Sequence, residues 1–302
     1  GHPDLSEVIV YEKEGRHRGI WSTIRFACSL RRHRFDTAIV AHPTHRSHWI
    51  AWFAGIPTRI GYDRKSRWLL THRLPHQKQE GARHEAAYAA ELLQVLGITP
   101  AEPLRAAVAV SPQAKDQVGQ WLQEQGVASQ DLLIAIHPSA SCRSKRWPAE
   151  RFAQVADALA ASHRARIIVV AGPDDLQPAR EMIAAMRQRS INAAGRLLVG
   201  ELAALLSRCR LLISNDSGPV HIAAARGTPV VDLFGRNQRG LSPARWGPLG
   251  EGHAVLHQEV GCRVCLAHAC SIGFLCLAMI GVPDVIAAAI RIVDGEPALP
   301  RG

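Results

Sequence analysis

Aromatic side chains are scarce in this 302-residue chain: Phe, Tyr and Trp make up 5% of it. Single-stranded nucleic acid is bound on closely spaced stacking rings, and no aromatic RNP pattern, zinc-finger spacing or basic zipper stands in for them. No nucleic-acid partner is expected. Acid is in deficit too, with 26 Asp and Glu against 36 Lys and Arg, a net charge of +10 at pH 7. The excess is uneven, since residues 1–100 hold 15 basic and 9 acidic side chains. Such a balance bears on partners rather than on fold, and it points to anionic lipid or an anionic small substrate. No apolar run reaches the ~18–20 residues of a membrane span, because Arg, His or Asp cuts the longest ones. The opening GHPDLSEVIV lacks the basic start and apolar core of a secretory signal, so a cytoplasmic protein is expected. A hydrophobic content of 47% is ordinary globular usage and excludes a disordered chain.

Seven cysteines are present, an odd number in a chain too long to need stapling. Cys28, Cys142 and Cys209 are scattered and read as ordinary buried or part-buried thiols. Cys262, Cys265, Cys270 and Cys276 cluster around His268. The first two form a CxxC, which suits a metal or a redox pair. The second two do not, and Ile272, Phe274 and Leu275 make the stretch apolar, so packed thiols and no metal are expected.

At ~150 residues per domain the length allows two domains. Strand-like and helix-like segments alternate throughout. Val8–Tyr11, Asp36–Ala41, Pro57–Tyr62, Leu132–Ile136, Ile167–Ala171, Leu211–Asn215 and Val230–Phe234 are apolar or β-branched runs. Between them, Ile20–Leu30, Ser47–Phe53, His84–Leu96, Pro148–Ser162, Gln177–Arg187, Glu201–Ser207, Val220–Arg226 and Pro283–Val293 carry helical spacing. Repeated βα units with continuously apolar strands predict parallel sheets covered on both faces. A polar helix over 112–126 precedes a fresh series of such units and marks the expected domain junction, dividing the chain into 1–126 and 127–302. Two doubly wound α/β domains account for the pattern, with ligands at the carboxyl ends of the strands.

Three strand-end loops carry candidate chemistry. In LLISNDSGPVHIAAARGTPVVDLFG (211–235) a buried strand runs into Asp216, Ser217 and Gly218 before a small-residue helix. A helix N-terminus offers unpaired N–H groups and a positive dipole end. Gly218 permits close backbone approach, Ser217 can cap or meet a phosphate, His221 lies four residues further on, and Asp216 can accept from sugar hydroxyls. In IAIHPSASCRSKRWPAERF (134–152) a second strand ends in Ser139, Ala140 and Ser141, followed by the cations Lys145 and Arg146. In AGPDDLQPAR (171–180) both Asp174 and Asp175 are candidates for ribose hydroxyls, and an N-cap by Asp175 is an equal alternative. Capped turns and an exposed basic loop are the bland readings of all three. Convergence of two such loops at a switch point favours an anion site.

The pair HPSASCRSKRWPAERFAQVADAL and SNDSGPVHIAAARGTPVVDLFG resembles the glycosyltransferase family 9 heptosyltransferases of lipopolysaccharide core synthesis. RFDTAIVAHPTHRSHWIAWFAGIPTRIGYD and HEAAYAAELLQVLGI are similar to stretches of that family's N-terminal domain, and the segment ending CLAMI resembles another that many members carry. The resemblance implies a GT-B architecture, with two Rossmann-like domains facing across a cleft and a last helix crossing back. It implies an inverting transfer of heptose from ADP-heptose to the inner core without a metal or other cofactor. Ser139, Ala140, Lys145, Asp174, Asp216, Ser217, Gly218 and His221 would then hold the donor. An anionic lipid A-core acceptor would meet the basic first third, with Arg16, Arg18 and Arg46 as its contacts, and the enzyme would touch the inner-membrane surface transiently.

The family begins with a strand and a Gly-Asp loop whose Asp is the proposed general base. GHPDLSEVIVYEK instead resembles a point one or two βα units into the N-terminal domain. A domain without its first strands should show unpaired strand edges and exposed apolar faces, and no catalytic base is assigned. Two alternatives stay open on the sequence: a non-catalytic sugar-nucleotide binder, and a basic nucleic-acid-associated protein.

Overall fold

The computed structural model describes residues 2–236, 238–262 and 269–296. The chain divides into a first unit, Asp4–Leu104, and a second beginning at Arg105.

The first unit holds a three-stranded parallel sheet, β1 (Thr37–Val40), β2 (Thr58–Tyr62) and β3 (His72–Leu74), in the order β1-β2-β3. Helices α1 (Ile20–Ser29), α2 (His45–Phe53) and α3 (Glu85–Glu91) accompany it. Thr44 caps α2 by accepting from Ser47 N at 3.0 Å. After α3 a 3₁₀ turn over Leu92–Leu96 ends at Gly97, whose φ of +72° closes it in the left-handed region. Two small cores result, one around Ile60, Tyr62, Tyr88 and Leu92, the other around Val40, Ala51 and Leu70. Among the described residues β1 pairs with β2 alone and leaves Ile39 exposed at the sheet edge. The expected strand over Val8–Tyr11 does not form; Val8 and Val10 are exposed.

The second unit is built on six parallel strands: β4 (Leu133–His137), β5 (Arg166–Val169), β6 (Ser190–Asn192), β7 (Leu211–Asn215), β8 (Val230–Phe234) and β9 (Ala254–His257). Their order is β6-β5-β4-β7-β8-β9, a doubly wound sheet that reverses direction between β4 and β7. Alternate residues of each strand point to opposite faces, and both faces are apolar. On one, Ile134, Ile136, Leu211, Ile213, Val231 and Leu233 meet Phe152 and Leu159 of α5 (Ala149–His163). On the other lie Leu133, Ala135, Leu212 and Val230. They pack with α4 (Pro112–Glu124), α7 (Val199–Leu206) and α8 (Gly218–Ala225), through residues such as Leu122, Leu205 and Ala223. The short helices α6 (Gln177–Ala185), α9 (Pro243–Trp246) and α10 (Leu275–Ala278) and the terminal α11 (Val282–Asp294) complete the unit.

One expectation changes here. The polar-looking α4 belongs to the second unit, because its one apolar stripe, Ala114, Val118 and Leu122, is buried in that unit's core. The boundary therefore falls at 104/105 rather than after 126. Val285, Ala288, Ala289 and Ile292 of α11 are buried with α5 in the second unit's own core.

Candidate functional site

Both switch-point strands end in polar loops that the structure brings together. Asn215, at the end of β7, accepts from Trp147 N at 3.0 Å through its side-chain oxygen. Its Nδ2 donates to Pro138 O at 2.7 Å. One buried amide thus spans the loop that follows β4. Trp147, fully buried, donates its indole N–H to Ile280 O at 3.1 Å and fixes the far end of that loop. Lys145 is thereby held over β7, its Nζ 2.7 Å from Asp216 Oδ2 and 3.3 Å from Asp216 O. Arg236, just beyond β8, places its Nη2 3.3 Å from the same carboxylate oxygen. Asp216 thus carries two cations, and its side chain is buried beneath them.

A cavity of about 710 Å³ opens over this arrangement. It is lined by Ser139, Ala140, Lys145, Asp216, Ser217, Gly218, His221 and Arg236, and continues over Val170, Ala193, Leu197 and Leu202. One end is charged and the other apolar, a form suited to a ligand with an anionic and a flat apolar part. Of the expected donor residues, seven lie on this cavity. Asp174 does not; it is exposed, and its neighbour Asp175 lines the wall instead. Asp175 Oδ2 accepts from Arg146 Nη2 at 2.9 Å, and Arg146 Nε donates to Ala140 O at 2.8 Å. Ser139 Oγ donates to Asp175 O at 2.8 Å. The third loop is therefore tied to the first through an ion pair and a hydroxyl.

Two motif residues differ from their sequence reading. Ser217 sits before α8 in extended backbone but makes no side-chain cap. Its hydroxyl lies 3.1 Å from His137 Nδ1 and 3.0 Å from Ser214 Oγ. His137 closes the triangle at 3.2 Å from Ser214. Burial drives the His137 pKa down to about 4, so the ring is neutral and serves as a hydrogen-bonding group. Gly218 needs no special conformation: a Cβ there would meet nothing within 4 Å. Gly235 is the opposite case, since a Cβ would lie 2.7 Å from Leu277 Cγ and 2.9 Å from Ser144 O. The chain comes that close to β8 in order to deliver Lys145.

Sequence reading missed Arg236 and Asp232. Arg236 follows the strand-ending Gly235, and its charge at that position was the available signal. Asp232 lies within β8, opposite Ser214 in the sheet register. It is wholly buried, and neither carboxylate oxygen has a hydrogen-bond partner among the described residues. Burial first, and then the Asp216 charge, hold its pKa well above the ordinary carboxyl range, while Lys145 opposes them.

The expected acceptor contacts lie in the first unit. Arg16 is exposed and paired with Glu12 at 3.0 Å, and Arg18 is exposed. Arg46 is half-buried, with its guanidinium 5.9 Å from the centre of the Tyr11 ring. In the cysteine segment Cys265 and His268 lie outside the described residues. Cys262 is exposed and Cys270 and Cys276 are half-buried, so this stretch is less packed than expected. Among the described residues no helix is long and apolar enough to cross a membrane.

The sequence profile of glycosyltransferase family 9 (heptosyltransferase) matches residues 23–275. Lipooligosaccharide heptosyltransferase 2 of Haemophilus influenzae is 27% identical over 222 residues, covering 70% of this chain and 64% of that protein. Lipopolysaccharide heptosyltransferase 2 of Escherichia coli is 26% identical over 226 residues, 71% of this chain and 64% of that protein. The chain thus spans somewhat less than two thirds of these relatives' length. A crystal structure of a family 9 glycosyl transferase from Veillonella parvula superimposes with a TM-score of 0.84 at 28% identity, covering 96% of this chain and 83% of that one.

Proposed function

The chain belongs to glycosyltransferase family 9, and from that membership we propose that its second unit binds ADP-heptose and that the protein transfers the heptose to an anionic lipopolysaccharide core acceptor. One observation carries the reading: Lys145 and Arg236 converge on Asp216 at the switch point, at the charged end of a cavity whose other end is apolar. A diphosphate fits the cations and the N-terminus of α8. Adenosine fits the apolar wall at Val170, Ala193, Leu197 and Leu202.

In the reaction an acceptor hydroxyl oxygen bonds to the anomeric carbon as its bond to the diphosphate oxygen breaks, inverting the configuration. The hydroxyl proton goes to a base that we do not assign to any residue of this chain. Negative charge gathers on the departing ADP. Lys145, Arg236 and the α8 dipole are positioned before the reaction to receive it, which is the economical form of electrostatic catalysis. In the unliganded protein Asp216 holds both cations. The diphosphate takes over Lys145, and Asp216 is then available to a sugar hydroxyl. Gly218 supports the same reading, since nothing in the protein occupies the space beside it.

Calorimetric titration of the chain with ADP and with ADP-heptose tests the proposal, with Asp216→Ala as control. Binding of both, tighter for ADP-heptose and weakened by the substitution, is the expected result. A folded chain that binds neither would overturn it. Binding without transfer to a core acceptor would leave a sugar-nucleotide binder.

A further inference from the structure

The charged end of the donor cavity continues past its first cation. Each lining loop leaves the carboxyl end of a strand, so the wall follows the strand order of the second sheet. Residues 170–173 follow β5, and Ala193 and Leu197 follow β6, at the apolar end. Lys145 follows β4, and Asp216, Ser217 and Gly218 follow β7, at the switch point. Arg236, Leu241 and Trp246 follow β8, on the far side of it. A diphosphate at the switch point would therefore have wall on both sides, and adenosine accounts for one of them.

Among the described residues Trp246 is the one Phe, Tyr or Trp on this wall, in a chain that has few. It closes α9 and is half-buried. Its indole N–H donates to Gly240 O at 3.0 Å, and Arg245 Nη1 donates to the same carbonyl at 2.9 Å. Arg245 also lies over the indole, its guanidinium carbon 4.9 Å from the ring centre, and does not itself line the cavity. The ring is thus fixed before a ligand arrives. An indole has one polar group, a donor, and here it is already engaged. Trp246 therefore offers the cavity ring carbon.

A fixed aromatic surface beside a carboxylate and a cation suits a sugar. Sugars carry hydroxyls around the ring and C–H groups on its faces. Those C–H hydrogens are electropositive and meet the negative face of an aromatic ring. The neighbouring Asp216 and Arg236 can accept from and donate to the hydroxyls. At the opposite end, Val170, Ala193, Leu197 and Leu202 would leave most of the hydroxyls unpaired, which is costly. A flat base suffers far less there.

We propose that Trp246 is the platform on which the sugar of the donor nucleotide lies, C–H face against indole, and that it is a specificity-determining residue of the donor site. The inference rests on the ADP-heptose reading of this cavity and adds to it where the sugar lies: on the β8 side of the diphosphate, opposite the base.

Calorimetry with ADP and with ADP-heptose on the parent chain, Trp246→Ala and Trp246→Phe is the test. ADP should bind all three alike, which also shows that the second unit of each variant folds. ADP-heptose affinity should fall ~5–10-fold in Trp246→Ala. It should stay within ~twofold of the parent in Trp246→Phe, which keeps an aromatic face and loses the N–H. Unchanged ADP-heptose affinity in Trp246→Ala would overturn the proposal. An equal loss for ADP and ADP-heptose would also overturn it, by assigning the ring to the nucleotide. A fall in Trp246→Phe as large as in Trp246→Ala would do so too, since the aromatic face would not be what matters. A parent chain that binds ADP and ADP-heptose equally would have no sugar platform, while the donor site itself would stand. A folded parent that binds neither would remove the donor site and the platform together.

Discussion

The Lys145 ammonium lies 2.7 Å from Asp216 Oδ2, and the bond is asymmetric in what each partner has besides it. Asp216 also faces Arg236 at 3.3 Å, whereas among the described residues Lys145 has only the Asp216 carboxylate and carbonyl. Lys145→Ala leaves the carboxylate one cation, so its stability cost should be modest, about 1–2 kcal/mol. Asp216→Ala strands two cations in a largely buried place and should cost ~3–5 kcal/mol. Urea denaturation of both variants at pH 7 checks the order. ADP affinity should fall ~10–100-fold in Lys145→Ala, and unchanged affinity there would remove Lys145 from the diphosphate site.

Gly218 and Gly235 should separate ligand from architecture. A methyl group at 218 meets no protein atom, so Gly218→Ala should change stability by less than ~0.5 kcal/mol. It should nevertheless weaken ADP binding at least ~tenfold if a phosphate approaches that backbone. Gly235→Ala drives a methyl into Leu277 and Ser144 O and should cost ~1–3 kcal/mol. Thermal denaturation and calorimetry on the two variants read both effects. Equal ligand affinity in Gly218→Ala would mean that the open space is not used.

The pH dependence should show two opposed contributions. His137 has its folded pKa at about 4, below the unfolded ~6.5. Its contribution is complete above the unfolded value. As pH falls from ~6.5 to about 4 the unfolded chain takes up a proton that the folded one refuses, and about 3 kcal/mol is lost. Asp232 has its folded pKa raised, so its contribution is complete below the ordinary carboxyl value of ~3.9 and is lost as pH rises toward the folded pKa. His137→Gln should flatten the acid-side loss. Asp232→Asn should be more stable than the parent at pH 7, with the advantage fading toward pH ~4. A paired series of urea titrations between these limits distinguishes them, and a parent-like slope in His137→Gln would refute a buried neutral ring.

Asn215 is expected to act as a structural clasp. Asn215→Ala removes the partner of Trp147 N and of Pro138 O, two groups in buried surroundings. At ~1–3 kcal/mol for each unpaired group, about 2–6 kcal/mol of stability should go, and the Lys145 loop should loosen with it. Hydrogen exchange at the Trp147 amide is the direct measurement, and undiminished protection would show that the loop is held elsewhere.

Much of the fold could be read from the sequence wherever burial writes itself into composition. β4, β7 and β8 are buried on both faces, so their runs are mainly apolar, broken only by Asp232 in β8 and by the polar residues at the carboxyl ends of β4 and β7. The edge and peripheral strands were not legible. β3, β6 and β9 have three or four residues each and carry His, Arg, Ser or Asn because the sheet covers them poorly. Val8–Tyr11 misled in the other direction: β-branched residues make a strand only where a neighbouring strand supplies hydrogen bonds. At the site, the loops that carry Lys145 and Asp216 were readable because small residues and a helix start follow a strand. The Arg236 contact was not, since it depends on β8 lying beside β7. The choice between Asp174 and Asp175 turned on the Arg146 ion pair, a contact across 29 residues that no local pattern records.

Asn215 and Pro138 stand 77 residues apart in the chain, as do Ser214 and His137. The clasp cannot form on a growing polypeptide until β7 has been made and has found β4, with β5, β6 and their helices already looped out between them. Non-local pairings of this kind are reached late and slowly. On the proposed reading, no partly folded form that lacks β7 offers the anion site, so a nucleotide would not guide folding and would only stabilise its finished product, in proportion to the logarithm of its concentration. Nucleotide retention by newly made protein would therefore count completed molecules of the second unit, which makes it a measure of folding yield as well as of recognition.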